Sequence, residues 1–211
     1  MILELVGTAA FAVSGAALGA RKNMDIFGVV IMGIVTACGG GVLRDLFLGS
    51  LPPAMFRNPV YPITAILVSI VVFLLSFRKK PQHHLALYEM SQTIADAVGL
   101  GIFTAVGVSA GISAGYADNM FFTAFLGVIT GVGGGVFRDV LSGEKPSIFV
   151  RHIYALASIA GAVLCCVIEH FFAITPAIIV CTVSVTAIRL LAAGFRWSLP
   201  HAGGPKDTET R

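Results

Sequence analysis

Two short stretches of this chain combine residue types that an apolar segment rarely holds. The motif Gly-Gly-Gly-Val-x-Arg-Asp occupies Gly39–Asp45 and recurs 94 positions later at Gly133–Asp139. Each glycine weakens a helix by about 1 kcal/mol relative to alanine, and charged side chains inside a bilayer are costly. Further matches at the same offset, such as Gly49 with Gly143 and Pro52 with Pro146, indicate a duplication. Both copies are therefore candidate functional elements.

The glycine triplets predict backbone carbonyl groups that no side chain covers. In lipid, a carbonyl that turns away from its helix must be covered by protein or line a water-filled cavity. One interpretation is a kinked or broken helix that faces a pore, and the other is close helix packing, as in the ladder Gly127-xxx-Gly131-xxx-Gly135. Because packing needs spaced rather than consecutive glycines, we favour the kink, with threonine hydroxyls one turn earlier adding oxygens. The predicted ion path comprises Gly39, Gly40, Gly41, Gly133, Gly134, Gly135, Thr36 and Thr130.

The charged residues of the two motifs need partners inside the membrane. Adjacent helical positions diverge by about 100°, so the arginine and aspartate of one motif are not expected to neutralise each other. The sequence predicts instead one intramembrane ion pair per repeat, Glu4 with Arg44 and Asp96 with Arg138. The alternative is that these charges lie at helix ends and reach the headgroups. The candidate charged residues are Glu4, Arg44, Asp45, Asp96, Arg138 and Asp139.

Composition places most of the chain within a bilayer. Of 211 residues, 56% are hydrophobic and 12% charged, and the mean hydropathy is +0.90. A soluble domain has about 25% charged residues. The net charge of +3 does not suggest nucleic acid, and no motif for an enzyme, a cofactor or a bound metal is present. The four cysteines all lie in apolar runs without a CxxC pair, which favours buried free thiols.

The hydropathy pattern predicts an all-α integral membrane protein with seven transmembrane helices. The predicted spans are 2–20, 26–47, 60–77, 91–112, 119–142, 152–169 and 172–194. A repeat of three spans ends on the side opposite to the one where it began, so the two copies enter the membrane from opposite sides. They therefore form inverted repeats about an axis in the membrane plane. The predicted units are a first repeat over 1–80, a second over 90–170, a seventh helix over 172–195 and a disordered cytoplasmic tail over 198–211.

Basic residues predict the orientation. One face of the predicted topology carries only Arg57. The other carries ten, namely Arg21, Lys22, Arg78, Lys79, Lys80, Lys145, Arg151, Arg196, Lys206 and Arg211. Cytoplasmic loops carry an excess of lysine and arginine, so we expect the N-terminus outside and the C-terminus inside.

The doubled motif in a three-plus-three-plus-one chain resembles the trimeric intracellular cation (TRIC) channel family, in particular its prokaryotic branch. The resemblance covers about residues 1–195. It implies a homotrimer in the prokaryotic inner membrane, in contact with lipids, with a potassium-permeable pore in each subunit. It also implies that the glycines of helices 2 and 5 line that pore. The Lys-Glu-Val segment of the animal members is absent, since Val42-Leu43-Arg44-Asp45 follows the first triplet.

The same prokaryotic group is also labelled a glycine transporter family. Inverted repeats and broken helices fit a carrier with alternating access as well as they fit a channel. The residues alone leave open a cation channel, a small-solute carrier and a structural membrane protein with packed glycines.

Overall fold

The computed structural model describes residues 1–78, 85–150, 153–195 and 197, and within these ranges the chain is helical. The helices are α1 (Ile2–Arg21), α2 (Ile26–Phe47), α3 (Ala54–Arg57), α4 (Val60–Arg78), α5 (Leu85–Gly111), α6 (Met120–Leu141), α7 (Ser147–Val150), α8 (Tyr154–Phe171) and α9 (Ile174–Gly194). The predicted tail over 198–211 and the basic loop at 79–84 lie outside the described residues.

The chain is an all-helical membrane protein. Six described helices are long and apolar enough to span a bilayer, and a seventh, α4, is apolar over Val60–Ser76. Their ends differ from the predicted spans by a few residues, except that α5 begins at Leu85 and continues as a π-helical turn over Ile112–Tyr116. Gly115, with φ 91°, allows the backbone to leave the helix in that turn.

Polarity is inverted relative to a soluble protein. Arg138, Asp139 and Asp96 are at most 2% exposed, whereas Leu67 on α4 is 59% exposed and Phe121 on α6 is 85% exposed. Charged residues are almost never fully buried in soluble proteins unless they are paired. Here the charges lie inside the helix bundle and apolar side chains cover its outside, as a lipid environment requires.

Local sequence explains where α2 and α6 begin and end. Asp25 and Asn119 cap their N-termini by accepting backbone N–H bonds. Both C-termini close as Schellman motifs around a glycine with positive φ, Gly49 at 66° and Gly143 at 72°. The N–H of Ser50 donates to Asp45 O, and the N–H of Glu144 donates to Asp139 O. Gly49 and Gly143, which match at the 94-residue offset, thus terminate these two helices.

Of the kink or break predicted at the glycine triplets, the break is absent. Helix α2 runs without interruption through Gly39–Gly41, and α6 through Gly133–Gly135. The two helices instead cross at these glycines. A Cβ atom at Gly40 would overlap the carbonyl oxygen of Thr130, and one at Gly134 would overlap that of Thr36. Missing side chains here permit backbone contact between helices, the packing role of small residues in membranes.

Candidate functional site

Each motif belongs to a cluster of four polar residues. We call Glu4, Arg44, Asp45 and Tyr61 the Arg44 cluster, and Asp96, Arg138, Asp139 and Tyr154 the Arg138 cluster. Each cluster combines an acidic residue from α1 or α5, the Arg-Asp pair at the end of α2 or α6, and a tyrosine at the start of α4 or α8.

Within each motif the adjacent arginine and aspartate do contact each other, contrary to the expectation from helix geometry. Arg44 Nε donates to Asp45 Oδ1 at 2.9 Å, and Arg138 Nε donates to Asp139 Oδ1 at the same distance. The prediction considered only the direction in which each side chain leaves the helix. The long arginine side chain instead bends back to the carboxylate in the last turns of α2 and α6.

The second carboxylate oxygen of each aspartate binds the following short helix. Asp45 Oδ2 accepts the Ala54 N–H at the start of α3, and Asp139 Oδ2 accepts the Ser147 N–H at the start of α7, both at 2.7 Å. An acidic side chain is favourable at a helix N-terminus. Each aspartate therefore fixes both its arginine and the loop that leads to the next long helix.

The Arg138 cluster is densely bonded and buried. Arg138 Nη1 lies 2.5 Å from Asp96 Oδ1, so the structure places these two predicted partners in contact. The same nitrogen donates to Ser14 Oγ of α1 at 2.6 Å, and the Tyr154 hydroxyl donates to Asp96 Oδ1 at 3.3 Å. Burial of an arginine in the membrane is thus compensated by two carboxylates and a hydroxyl.

The Arg44 cluster is bonded differently. Among the described residues no ion pair joins Glu4 to Arg44, because Glu4 Oε2 binds the amino group of Met1 at 3.1 Å and the Tyr61 hydroxyl at 2.9 Å. Arg44 has only Asp45 as an acidic partner within this part of the chain. The predicted pairing assumed two equivalent halves, whereas Glu4 lies one helical turn from the N-terminal amine.

One residue difference between α1 and α5 explains much of the difference in bonding between the two clusters. Helices α1 and α5 align at an offset of 92, which matches Gly7 with Gly99 and Gly15 with Gly107. At this offset Ser14, which bridges α1 to Arg138, corresponds to Val106. A valine offers no hydrogen-bond acceptor, so α5 cannot hold Arg44 as α1 holds Arg138.

Two cavities open on the Arg44 side. A wide vestibule of about 740 Å³ is lined by Glu4, Arg44, Asp45, Ser50, Ser109 and Ser113, among others. A smaller cavity of about 40 Å³ shares the first three of these residues and reaches Gly41, Tyr61 and Phe103. Charged and hydroxyl groups therefore lead from the vestibule toward the crossing of α2 and α6.

Most of the predicted path residues do not line these cavities. Thr36 and Thr130 are fully buried, and their hydroxyls donate to the carbonyls of Met32 and Leu126 in their own helices. Gly41 alone of the six glycines lines either cavity, and a Cβ there would have only Arg44 Nη2 within 4.0 Å. Consecutive glycines thus face different surroundings because they point in different directions around the helix.

Four polar residues of the site were missing from the sequence prediction. Tyr61 and Tyr154 lie 93 positions apart, so a search one residue off the main offset could have paired them. The shift arises in the loop, where Pro52-Pro53 faces the single Pro146, and α3 and α7 also begin 93 positions apart. The sequence carries no comparable repeat signal for the other two, Ser14 and Arg189.

The Arg138 side also carries an ion pair at its surface. Glu144 Oε1 lies 3.0 Å from both Arg21 Nη2 and Lys22 Nζ, which joins the loop after α6 to the end of α1. Ser50 occupies the position of Glu144 at the 94-residue offset, and it lines the vestibule of the Arg44 side. The two surfaces therefore differ as the two clusters do.

We expect the Glu144 bridge to weaken in acid. Burial raises the pKa of the Glu144 carboxyl, but the hydrogen bond from Lys22 and the charge of Arg21 outweigh burial and lower it. A lowered pKa stabilises the folded state above the unfolded pKa, and this stabilisation is lost as the pH falls through the folded value. Glu144→Gln should cost less than about 1 kcal/mol at pH 7 and nothing well below about pH 4. Thermal unfolding of both proteins across this range, with Glu169→Gln as the control, measures the effect; a pH-independent difference would contradict it.

Comparison with known proteins gives consistent matches over most of the chain. A family model described as "Glycine transporter" matches residues 1–76 and 93–170. The UPF0126 inner membrane protein YadS of Escherichia coli is 35% identical over 197 residues, which cover 93% of this chain and 92% of the relative. A UPF0126 membrane protein of Deinococcus radiodurans is 40% identical over 162 residues, covering 76% and 72%.

Solved structures share the fold. A prokaryotic TRIC channel crystallised in 0.5 M KCl has a TM-score of 0.85 and 31% identity, covering 94% of this chain and 97% of its own. The TRIC orthologue from Rhodobacter sphaeroides has a TM-score of 0.84 and 30% identity, covering 93% and 97%. These relatives are channels rather than enzymes, in agreement with the expectation from the motifs.

Proposed function

Because the chain belongs to the prokaryotic branch of the TRIC channel family, we propose that it is a potassium-permeable cation channel with a pore in each subunit of a homotrimer. The observation that carries this proposal is the vestibule of the Arg44 side together with the small cavity beside Gly41, since the two share Glu4, Arg44 and Asp45 as wall residues. An empty cavity with polar groups at its wall is unfavourable within a membrane unless water or ions occupy it.

In this proposal the path is built from two inverted repeats. The first repeat comprises α1, α2 and α4, the second comprises α5, α6 and α8, and α9 is additional. The support is the matched bonding of the two motifs: the same Arg-Asp bond, the same aspartate contact to a short helix and the same Schellman closure. The pseudo-two-fold axis would pass through the contact of Gly40 with Thr130 and of Gly134 with Thr36.

In this arrangement Gly40 and Gly134 seal the crossing, and the path runs beside Gly41 on the Arg44 side and beside Gly135 on the Arg138 side. Cations would meet Glu4 and Asp45 first and then backbone and hydroxyl oxygens. Potassium suits such a path better than magnesium, which gives up its water reluctantly.

The basic residues support an orientation with the Arg44 side outside and the Arg138 side cytoplasmic. Single cysteines introduced at Asn58, in the loop between α3 and α4, and at Lys80 test this orientation. An impermeant thiol reagent added outside intact cells should label position 58 and spare position 80. The reverse pattern would invert the proposed topology.

Unitary current steps from the purified protein in a planar bilayer, in potassium solutions, test the channel directly. The alternative is a glycine-type carrier, which the description of the matching family model favours. Saturable glycine counterflow into liposomes without unitary currents would replace the channel by the carrier.

A substitution at Gly41 gives the most direct test of where the cation path runs. Gly41→Leu places a side chain into the cavity of about 40 Å³, where it meets open space rather than backbone. We expect the protein to fold at least as stably, since leucine favours a helix by almost 1 kcal/mol over glycine, and unitary conductance to fall at least about tenfold. Gly194→Leu, at another open position, is the matched control. Wild-type conductance of a folded Gly41→Leu protein would place the path elsewhere.

A further inference from the structure

Arg189 is a buried arginine on α9, outside both motifs. The residue is 4% exposed, and its guanidinium carbon lies 5.1 Å from the centre of the Tyr154 ring. An arginine within about 6 Å of an aromatic ring centre is attracted to the ring face. Among the described residues, no guanidinium lies over the ring of Tyr61, the corresponding tyrosine of the Arg44 cluster.

Tyr154 occupies space that is open on the other side of the molecule. A Cβ atom at Gly135 would lie 2.6 Å from the Tyr154 hydroxyl oxygen, so this hydroxyl fills the space beside Gly135. The same hydroxyl donates to Asp96. At the corresponding Gly41 the tyrosine leaves a cavity, and Tyr61 lines it. The position of one tyrosine ring therefore distinguishes a filled side from an open side.

Helix α9 is well placed to fix that ring. The Thr186 hydroxyl donates to Ala97 O of α5 at 3.3 Å, and the Thr182 carbonyl approaches Gly101 so closely that a Cβ there would lie 2.6 Å from it. Val185, one turn before Arg189, packs into the space beside Gly161 of α8. Since α9 is held against both α5 and α8, it presents Arg189 to Tyr154 from a rigid base.

We propose that Arg189 is a positioning residue that holds Tyr154 beside Gly135, and thereby keeps the Arg138 side of the cation path closed. The seventh helix then makes the two halves unequal, because among the described residues an additional guanidinium lies over the tyrosine of one half and not of the other. The inference rests on the proposed function in that it assumes a cation path through the subunit. The position of Tyr154, however, can be measured without any ion flux.

Thiol accessibility provides that measurement. Gln92 lies one helical turn from Asp96 toward the start of α5 and is 6% exposed, so Gln92→Cys reports whether the Arg138 side admits a water-soluble thiol reagent. We expect Arg189→Gln to accelerate modification of this cysteine at least tenfold and Arg189→Lys, which keeps a cation over the ring, to restore the slow rate. The chain without Gln92→Cys gives the background of the four buried native thiols.

Two further variants make the test decisive. Ser184→Ala changes α9 at a side chain that bonds only within its own helix, and should leave the rate unchanged. Tyr154→Phe keeps the ring beneath Arg189 but removes the hydroxyl, and should also accelerate modification, so it tests the closing role of Tyr154 even if Arg189→Gln does not fold. Slow modification in folded Arg189→Gln, or in Tyr154→Phe, would overturn the proposal.

Bilayer recordings separate this inference from the proposed function. In a channel, Arg189→Gln should raise the open probability, and Arg189→Lys should return it toward the wild-type value. If no variant gives unitary currents while accessibility follows Arg189 as described, the channel fails and the positioning role stands. Unchanged open probability together with unchanged accessibility would remove the positioning role and leave the channel intact.

Discussion

Replacing Gly40 or Gly134 by alanine is expected to prevent stable folding. A single added methyl group at either position would overlap a carbonyl oxygen of the facing helix, Thr130 O or Thr36 O. Overpacking in a core typically costs about 1–3 kcal/mol even where side chains can move aside. Here the obstacle is backbone inside a continuous helix, so we expect a loss of more than about 3 kcal/mol for each substitution.

Gly41→Ala is the matched control, because it lies next to Gly40 on the same helix and its Cβ meets open space. The measurement is thermal unfolding in detergent together with the yield of monodisperse protein. Gly40→Ala and Gly134→Ala should both lower the yield sharply, while Gly41→Ala should match the wild type. If Gly40→Ala melts with the wild type, the crossing of α2 and α6 is looser than its geometry indicates.

Asp96→Asn is expected to have the second largest effect. The substitution keeps the size of the side chain and removes the negative charge that Arg138 Nη1 contacts at 2.5 Å. Both residues are at most 2% exposed, and removing one partner of a buried ion pair costs about 3–5 kcal/mol. Because Asp139 still neutralises Arg138, we expect about 3 kcal/mol, the lower end of that range.

Glu4→Gln is the corresponding change in the Arg44 cluster. The Glu4 side chain is 29% exposed, and its ionic partner is the exposed amino group of Met1. Exposed ion pairs contribute about 0–1 kcal/mol, so Glu4→Gln should lower the unfolding free energy far less than Asp96→Asn. Equal effects of the two substitutions would show that the clusters are energetically equivalent, against the difference in their bonding.

The spans of the helices were predictable from sequence because apolar length and helix caps are local signals. The bounds of α2 were predicted at 26–47 and observed at Ile26–Phe47. The roles of individual glycines were not predictable, because Gly40 and Gly41 differ only in which neighbour each faces. That neighbour comes from α6, about ninety residues away along the chain.

The charged residues also differ in how well their partners could be predicted from sequence. Asp96 was assigned to Arg138 from the inversion of the two repeats, and the structure places these two side chains in contact. Glu4 was assigned to Arg44 because both were predicted at the same depth, and in the structure Glu4 binds the N-terminal amine instead. The pairing of adjacent arginine and aspartate required the bent path of the arginine side chain, which residue spacing does not encode.

The bonding within each Arg-Asp motif has a consequence for biogenesis. Arg44 and Asp45 neutralise each other, and Asp45 also binds α3, using residues that all lie within the first sixty of the chain. The first three long helices can therefore leave the insertion machinery and enter lipid with their arginine already compensated, before the ribosome has made the second half. Arg138, by contrast, bonds to Ser14, so the later half completes its charge network only by docking onto helices that are already in the membrane.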